Sequence, residues 1–257
     1  MTLSEGRGES MHRIATALMI MAAPGAFAYT AAELAAKNVA AKGGSEPLGA
    51  IHTLRVSGKL LVNGGTLEMG YALLVERPDA IRYESQLQGL TRVQAYDGTQ
   101  AWQVNPFQGR KDPEKLSADD AKALAEAAAD ITGPLVDYQA KGYKLDYLGT
   151  EDVDGTEAHK LRVTRPNGDV AFVYLDPDYF LEIRTVNRRI EHGVPNETIT
   201  DYGDYEQVSG VYLPFAQESY QKGSSNRQKV QIEKAQANVA PDKSVFSFPS
   251  SHTPAAR

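Results

Sequence analysis

Hydrophobic and polar residues alternate with a period of two along two long stretches of the chain, residues 53–104 and 145–235. That period is typical of β-strands that bury one face and expose the other. Short turn sequences separate the alternating runs, among them Asn63-Gly64-Gly65, Asp97-Gly98, Asp154-Gly155 and Asn167-Gly168. The pattern therefore predicts about eleven strands, most of them antiparallel to their chain neighbours and joined by hairpins.

Two segments have the period of an α-helix instead. Thr30, with Glu33 three residues later, forms a capping-box sequence and predicts a helix to about Ala41. Ser117 is a typical N-cap, and the helix after it is expected to run to about Ile131. Half of that second helix is alanine, so its apolar face is narrow and shallow. We expect it to pack closely but to be displaced at little cost.

Two helices cannot cover both faces of so many strands, so the sheet is expected to curl with the helices capping its inside. No linker or repeat divides the chain, which predicts one mainly β domain with helices (α+β) over residues 29–257. A curled sheet of this size encloses more volume than its side chains readily fill. It should therefore hold an apolar cavity, and the alternative is a packed core made by the same residues. The candidate cavity-lining residues are the inward rows of the strands: Leu54, Val56, Met69, Tyr71, Leu73, Ile81, Tyr83, Trp102, Val104, Phe172 and Tyr174.

The beginning of the chain has the composition of a secretory leader. Arginines precede a ten-residue apolar run at 14–23, and an Ala-x-Ala cleavage sequence follows at 26–28. The run is too short to span a bilayer, which needs about 20 residues. We predict a signal peptide over residues 1–28 and export of the remainder; a buried N-terminal helix is the alternative, and Met11 is a second candidate start. The chain has no cysteine, so neither disulfides nor a lipid anchor on cysteine is expected.

Composition and motifs exclude several kinds of chemistry. The net charge is −6, which does not suit nucleic acid, because phosphate binding needs a basic surface. The chain contains no H-E-x-x-H, G-x-S-x-G, P-loop or G-x-G-x-x-G sequence. The histidines after the leader are not spaced as metal ligands: His52, His159, His192 and His252. We therefore predict no catalytic residue, no metal, no cofactor and no enzymatic activity.

Three segments carry a resemblance to a known family. Residues 75–83 (VERPDAIRY) form a strand that ends in Arg-Pro and leads into an aromatic-containing strand. Residues 96–107 (YDGTQAWQVNPF) have the pattern D-G-x-x-x-W-x-x-N-P-F, and residues 241–249 (PDKSVFSFP) are close to a C-terminal A-x-x-F-x-F-x-P ending. In this order and spacing they resemble the LolA/LolB-like family of periplasmic lipoprotein carriers.

The resemblance implies a half-open antiparallel β-barrel with a helical lid over a cavity for acyl chains. It adds Phe107 of the hairpin and Leu124 of the lid helix to the candidate lining residues. It also places Arg77 where the family has an arginine that hydrogen-bonds the lid and holds it shut when the cavity is empty. A guanidinium can satisfy several lid oxygens at once. The alternative is that Arg77 only ends a strand before Pro78.

The expected function follows from this resemblance. The protein should be a monomeric, soluble periplasmic carrier without a lipid anchor, which holds a lipid or the acyl chains of a lipoprotein for transfer towards the outer membrane. An inner-membrane donor and an outer-membrane acceptor are its candidate protein partners, and no nucleic acid is expected. The alternative is an envelope sensor or interaction module of the same fold, in which lipid binding regulates a protein partner.

Overall fold

The computed structural model describes residues 29–191 and 193–249, so the predicted signal peptide at 1–28 lies outside the described residues. The described part of the chain contains three α-helices: α1 (Ala31–Ala41), α2 (Ser45–Ala50) and α3 (Ala118–Ala129). It also contains thirteen strands: β1 (Thr53–Val62), β2 (Leu67–Glu76), β3 (Ala80–Leu87), β4 (Leu90–Asp97), β5 (Ala101–Asn105), β6 (Arg110–Lys115), β7 (Lys144–Val153), β8 (Thr156–Thr164), β9 (Val170–Leu175), β10 (Glu182–Glu191), β11 (Val194–Val208), β12 (Val211–Gln221) and β13 (Arg227–Ala237). Among these residues, no helix is long and apolar enough to cross a membrane.

All thirteen strands form one antiparallel sheet in the order β6-β5-β4-β3-β2-β1-β13-β12-β11-β10-β9-β8-β7. Consecutive strands pair with each other except β6 with β7, and at the centre β1 also pairs with β13. The two edge strands, β6 and β7, are consecutive in the chain, and α3 lies between them. The prediction of a mainly β fold with helices is therefore confirmed, but the sheet is not closed.

The prediction of about eleven strands is too low, and β6 is the clearest strand that it missed. Its sequence, RKDPEK, has five charged residues and a proline, and therefore no apolar alternation. Edge strands tolerate charge and proline because one side of their backbone has no partner strand. Pattern reasoning reads such a segment as a loop.

Three helices pack on one face of the sheet, which we call the inner face. The predicted capping box begins α1, since Oγ1 of Thr30 accepts from the Glu33 amide at 3.2 Å and a Glu33 oxygen accepts from the Thr30 amide at 2.7 Å. Leu34 on α1 packs against the apolar rows of β8 and β9. Leu124 and Ala128 on α3 pack against the rows of β2 and β3. The helices thus pack against the apolar rows near both ends of the inner face.

The outer face carries the C-terminal segment. The indole of Trp102 donates to the carbonyl of Phe246 at 2.7 Å, and the guanidinium of Arg82 donates to the carbonyl of Val245 at 2.8 Å. The Phe246 side chain is 2% exposed. All three segments that carried the family resemblance therefore meet here, and their contacts hold the end of the domain against the sheet.

Candidate functional site

A cavity of about 320 Å³ lies in the middle of the inner face, between α3 and the sheet. One side of it, the apolar wall, comes from β1, β2, β12 and β13 and consists of Leu54, Val56, Leu73, Leu213, Phe215 and Ile232. The adjoining part, the polar wall, comes from β10, β11 and β12 and consists of Thr185, Asn187, Thr200, Tyr202, Gln217 and Ser219. The cavity is therefore divided into an apolar part and a hydrogen-bonding part.

The roof of the cavity is formed by α3. Ala123, Glu126, Ala127 and Asp130 face the cavity, at the spacing of three and four residues that places side chains on one face of a helix. Leu124 lies on the neighbouring face and packs against the sheet. Two of these four residues are alanines, which add little side-chain volume, and the other two are acids.

Pairs of hydrogen-bonded hydroxyls make up much of the polar wall. Thr200 and Ser219 lie opposite each other on β11 and β12, and their hydroxyls are 3.0 Å apart. The hydroxyls of Thr185 and Tyr202 are also 3.0 Å apart. Burial raises the pKa of Tyr202 to about 12, so its hydroxyl stays neutral at physiological pH and can both donate and accept.

Two further tyrosines extend the hydroxyl lining onto β2 and β3. Tyr71 and Tyr83 lie on the inner face as diagonal neighbours, since Tyr71 pairs with Ser85 and Tyr83 with Leu73. Burial raises the pKa of Tyr83 to about 12 and raises the pKa of Tyr71 as well. Both rings therefore present a neutral hydroxyl beside the apolar wall.

Ion pairs join the C-terminal half of α3 to the sheet. Asp130 accepts from Nη2 of Arg165 at 3.0 Å and from Nζ of Lys141 at 3.0 Å. Glu126 lies 3.6 Å from Nη2 of Arg189. Burial alone would lower the pKa of Arg165, but the charges of Asp130 and Glu126 outweigh it and raise that pKa. The arginine therefore remains charged beneath the helix.

One ion pair of this group is incompletely satisfied. Nε of Arg165 lies 3.8 Å from Oε2 of Glu126, which is too long for a hydrogen bond. Both atoms are buried, and neither has a hydrogen-bond partner within the described part of the chain. The side chains that carry them are 7% and 11% exposed. Such orphaned atoms cost free energy in the closed structure.

A second set of contacts holds the loop that follows α3. Nζ of Lys42 donates to the carbonyl of Thr132 at 2.8 Å and to a Glu182 carboxylate oxygen at 2.9 Å. Nη2 of Arg77 donates to the hydroxyl of Thr132 at 2.8 Å. Thr132 is thus bound by two cations, one through its backbone and one through its side chain. The hydrogen bond from Arg77 to the Thr132 hydroxyl is a contact of the kind that the latch hypothesis requires.

Five of the thirteen residues proposed from the sequence line the cavity: Leu54, Val56, Tyr71, Leu73 and Tyr83. Met69 is buried on the same face of β2 but is not part of the cavity wall. Ile81 and Leu124 pack against the same inner-face core and seal α3 onto the sheet. The structure therefore brings together the residues of β1, β2 and β3 beneath and beside α3.

The remaining five residues do not reach the cavity. Trp102 and Val104 pack on the outer face with Val93. Phe172 and Tyr174 also pack there, since Ala171 is the β9 residue that faces the cavity and side chains alternate along a strand. Phe107 lies in a short 3-10 helix and is 39% exposed. Hydrophobic alternation locates the two faces of a strand but does not tell which one is the inner face.

Apolar periodicity does not predict the polar wall or the ion pairs, because their residues are hydrophilic. A signal was present in β11, where Thr198, Thr200 and Tyr202 alternate at a period of two. A second signal was present in α3, where Glu126 and Asp130 are the charged residues in residues 123–130 and are four residues apart. No cluster of His, Cys, Asp or Glu that could hold a metal is found among residues 29–191 and 193–249.

Comparison with solved structures identifies the architecture. A LolA superfamily protein from Nitrosomonas europaea superimposes with a TM-score of 0.55 and 13% identity, over 86% of this chain and 98% of that one. An inferred outer membrane lipoprotein-sorting protein domain from Vibrio parahaemolyticus gives a TM-score of 0.55 and 11% identity, over 84% and 95%. The chain has the LolA-like fold. A DUF1329 family protein from Desulfovibrio piger is similar too, with a TM-score of 0.58 and 12% identity over 84% and 95%.

The LolA-like fold thus confirms the resemblance that three short segments had indicated. At 11–13% identity the likeness concerns the fold, and residue roles have to be argued from this chain itself. No protein-family profile matches the chain, and no curated protein sequence matches it.

Proposed function

We propose that this protein is a non-enzymatic periplasmic carrier that holds a lipid, or the acyl chains of a lipoprotein, in the cavity beneath α3. The observation that carries the proposal is a partly apolar cavity, roofed by an alanine-rich helix, in a chain with the LolA-like fold. Its volume of about 320 Å³ falls within the range of small-molecule sites, roughly 300–1,000 Å³. Export of residues 29–257 as one domain would place the carrier between the two membranes.

Binding would be driven by burial of hydrocarbon. Each methylene group moved from water into an apolar site gains about 0.8 kcal/mol, so a single acyl chain binds without specific polar contacts. Where Ala123 and Ala127 face the cavity, the lid would offer little resistance, because an alanine side chain has little surface to lose from contact. Breaking the bond between Arg77 and Thr132 would then be part of the cost of opening. Release to an acceptor requires a site that buries the chain at least as well.

The cavity can be tested with two tryptophan substitutions on the same helix. Ala123 faces the cavity, so Ala123→Trp should fill the space beneath α3. Ala125 is partly buried but does not line the cavity, and Ala125→Trp is the matched control. Native mass spectrometry of freshly purified protein gives the mass and stoichiometry of any cargo, and a fluorescent fatty-acyl probe gives the affinity.

We expect bound lipid in the wild-type protein and in Ala125→Trp, and its loss in Ala123→Trp. Repeated recovery of empty wild-type protein that also ignores the acyl probe would refute the carrier function. Equal binding by both tryptophan variants would show that lipid binds elsewhere. Recovery of one membrane protein by affinity capture, weakened by added lipid, would favour the sensor function instead.

A further inference from the structure

The polar wall is larger than a site for hydrocarbon alone needs. Six hydrogen-bonding side chains from three adjacent strands line one side of the cavity: Thr185, Asn187, Thr200, Tyr202, Gln217 and Ser219. Hydroxyls and amides that are buried against an acyl chain are left without hydrogen-bond partners, which costs free energy. A cavity for acyl chains alone would be lined by apolar side chains throughout. Because one part of the cavity is apolar and the other is polar, its ligand should have an apolar part and a polar part.

Charges around the cavity are balanced. Three cations and three acids line it: Lys42, Arg165, Arg189, Glu126, Asp130 and Glu182. Each of these cations lies within 4 Å of one of these acids. An anionic head group would therefore have to displace a carboxylate from a paired cation. The electrostatics favour a head group without net charge.

Each hydrogen-bonded pair of hydroxyls in the polar wall has one hydrogen that can still donate to a ligand. When two hydroxyls hydrogen-bond to each other, one of their two hydrogens remains free to donate. The pair of Thr200 and Ser219 and the pair of Thr185 and Tyr202 each offer such a hydrogen, together with unused oxygen lone pairs. This wall can therefore both donate to and accept from a ligand. A hydroxyl on the ligand can use both properties, whereas a carboxylate or phosphate oxygen only accepts.

Two buried atoms without hydrogen-bond partners among the described residues, one on α3 and one in the loop between β8 and β9, also favour an uncharged head group with hydroxyls. Oε2 of Glu126 needs a donor, and Nε of Arg165 needs an acceptor. A hydroxyl that enters when α3 moves can donate to the first and accept from the second. An anionic oxygen would satisfy Arg165 but would face the charge of Glu126 at close range.

We infer that the cavity binds an amphiphile whose head group is uncharged and carries hydroxyls, with the head group on the polar wall and the acyl chain on the apolar wall. This inference rests on the proposed carrier function and specifies the class of its ligand. It also requires that Thr200 and Ser219 discriminate between head groups without contributing to recognition of the chain.

The test compares three ligands that have the same eighteen-carbon chain. Monooleoylglycerol carries free hydroxyls, oleate carries a negative charge, and methyl oleate carries neither. Each competes with a fluorescent fatty-acyl probe, below its aggregation concentration. Thr200→Val/Ser219→Ala removes both members of a hydroxyl pair, so no orphaned partner remains and the variant should fold. Leu213→Ala in the apolar wall is the matched control.

We expect the wild-type protein to bind monooleoylglycerol about tenfold more tightly than methyl oleate, and also more tightly than oleate, as two additional neutral hydrogen bonds would give. The preference should fall to within about threefold in Thr200→Val/Ser219→Ala. In Leu213→Ala all three ligands should weaken with their ratios unchanged.

Each other result overturns the inference. If all three ligands bind equally to the wild-type protein, the polar wall does not distinguish between head groups, although the carrier function stands. Preference for oleate would indicate an anion site. Persistence of the monooleoylglycerol preference in Thr200→Val/Ser219→Ala would place recognition elsewhere. Failure of all three ligands to bind would refute the carrier function together with the inference.

Discussion

Gly133 offers a sharp test of how the loop after α3 is held, because it lies against the buried ion pair of Lys42 and Glu182. A Cβ atom at this position would lie 2.7 Å from Oε1 of Glu182 and 2.8 Å from Nζ of Lys42. Those two side chains are each only 4% exposed, so neither can move aside into solvent. Gly133→Ala should therefore either separate the ion pair or push the loop after α3 away from the sheet.

Two costs add in Gly133→Ala. The backbone φ of Gly133 is +97°, and a left-handed conformation costs an L-residue about 1–2 kcal/mol. Loss of one partner from a buried ion pair costs about 3–5 kcal/mol, and displacement of an intact pair should cost less, about 2 kcal/mol. Together these predict a decrease of about 3–4 kcal/mol in the free energy of unfolding.

Gly155→Ala is the matched control for the backbone cost. Gly155 has a φ of +91°, and a Cβ atom there would meet nothing within 4 Å. We expect it to lose only the backbone part, about 1–2 kcal/mol, in urea unfolding followed by circular dichroism. Equal losses in the two variants would refute the contact argument. Faster uptake of an acyl probe by Gly133→Ala alone would show that the ion pair also holds the lid.

Two further predictions concern the latch and the response to pH. Thr132→Val removes the hydroxyl that Arg77 binds, which should destabilise the closed state by about 1 kcal/mol. Uptake of an acyl probe, measured by stopped-flow fluorescence, should then be about fivefold faster. An unchanged rate would exclude the latch. Burial lowers the pKa of His159 in the folded protein, and the charge of Glu157 opposes this only in part. As the pH falls below about 6.5, the imidazole of His159 is therefore protonated more in the unfolded chain than in the folded protein. The free energy of unfolding should therefore decrease between pH 7 and pH 5 more steeply in the wild type than in His159→Gln, and identical slopes would contradict this assignment.

Local sequence signals located most of the elements and part of the site. The capping box at Thr30 and the alternation in β1–β3 depend on neighbouring residues only, so they predict both the elements and five of the cavity residues. The placement of Trp102 could not be predicted in this way, because it depends on the C-terminal segment that covers the outer face. The polar wall depends on the register of three strands, and the ion pairs join residues far apart in the chain. Long-range placement of this kind has no periodic signature.

Ion pairs hold the C-terminal end of α3 in addition to the apolar contacts of Leu124 and Ala128, and this has a consequence for opening. Deleting one partner of a buried pair leaves an uncompensated charge, which is costly. Opening the lid is different, because Asp130 and Arg165 would both become exposed and regain water together. Apolar contacts, in contrast, lose their full burial free energy on exposure. An alanine-rich helix held partly by paired charges should therefore cost less to lift than one held by apolar packing alone. A ligand that brings hydrocarbon to the apolar wall can supply the difference, and this is how the closed cavity would become a binding site.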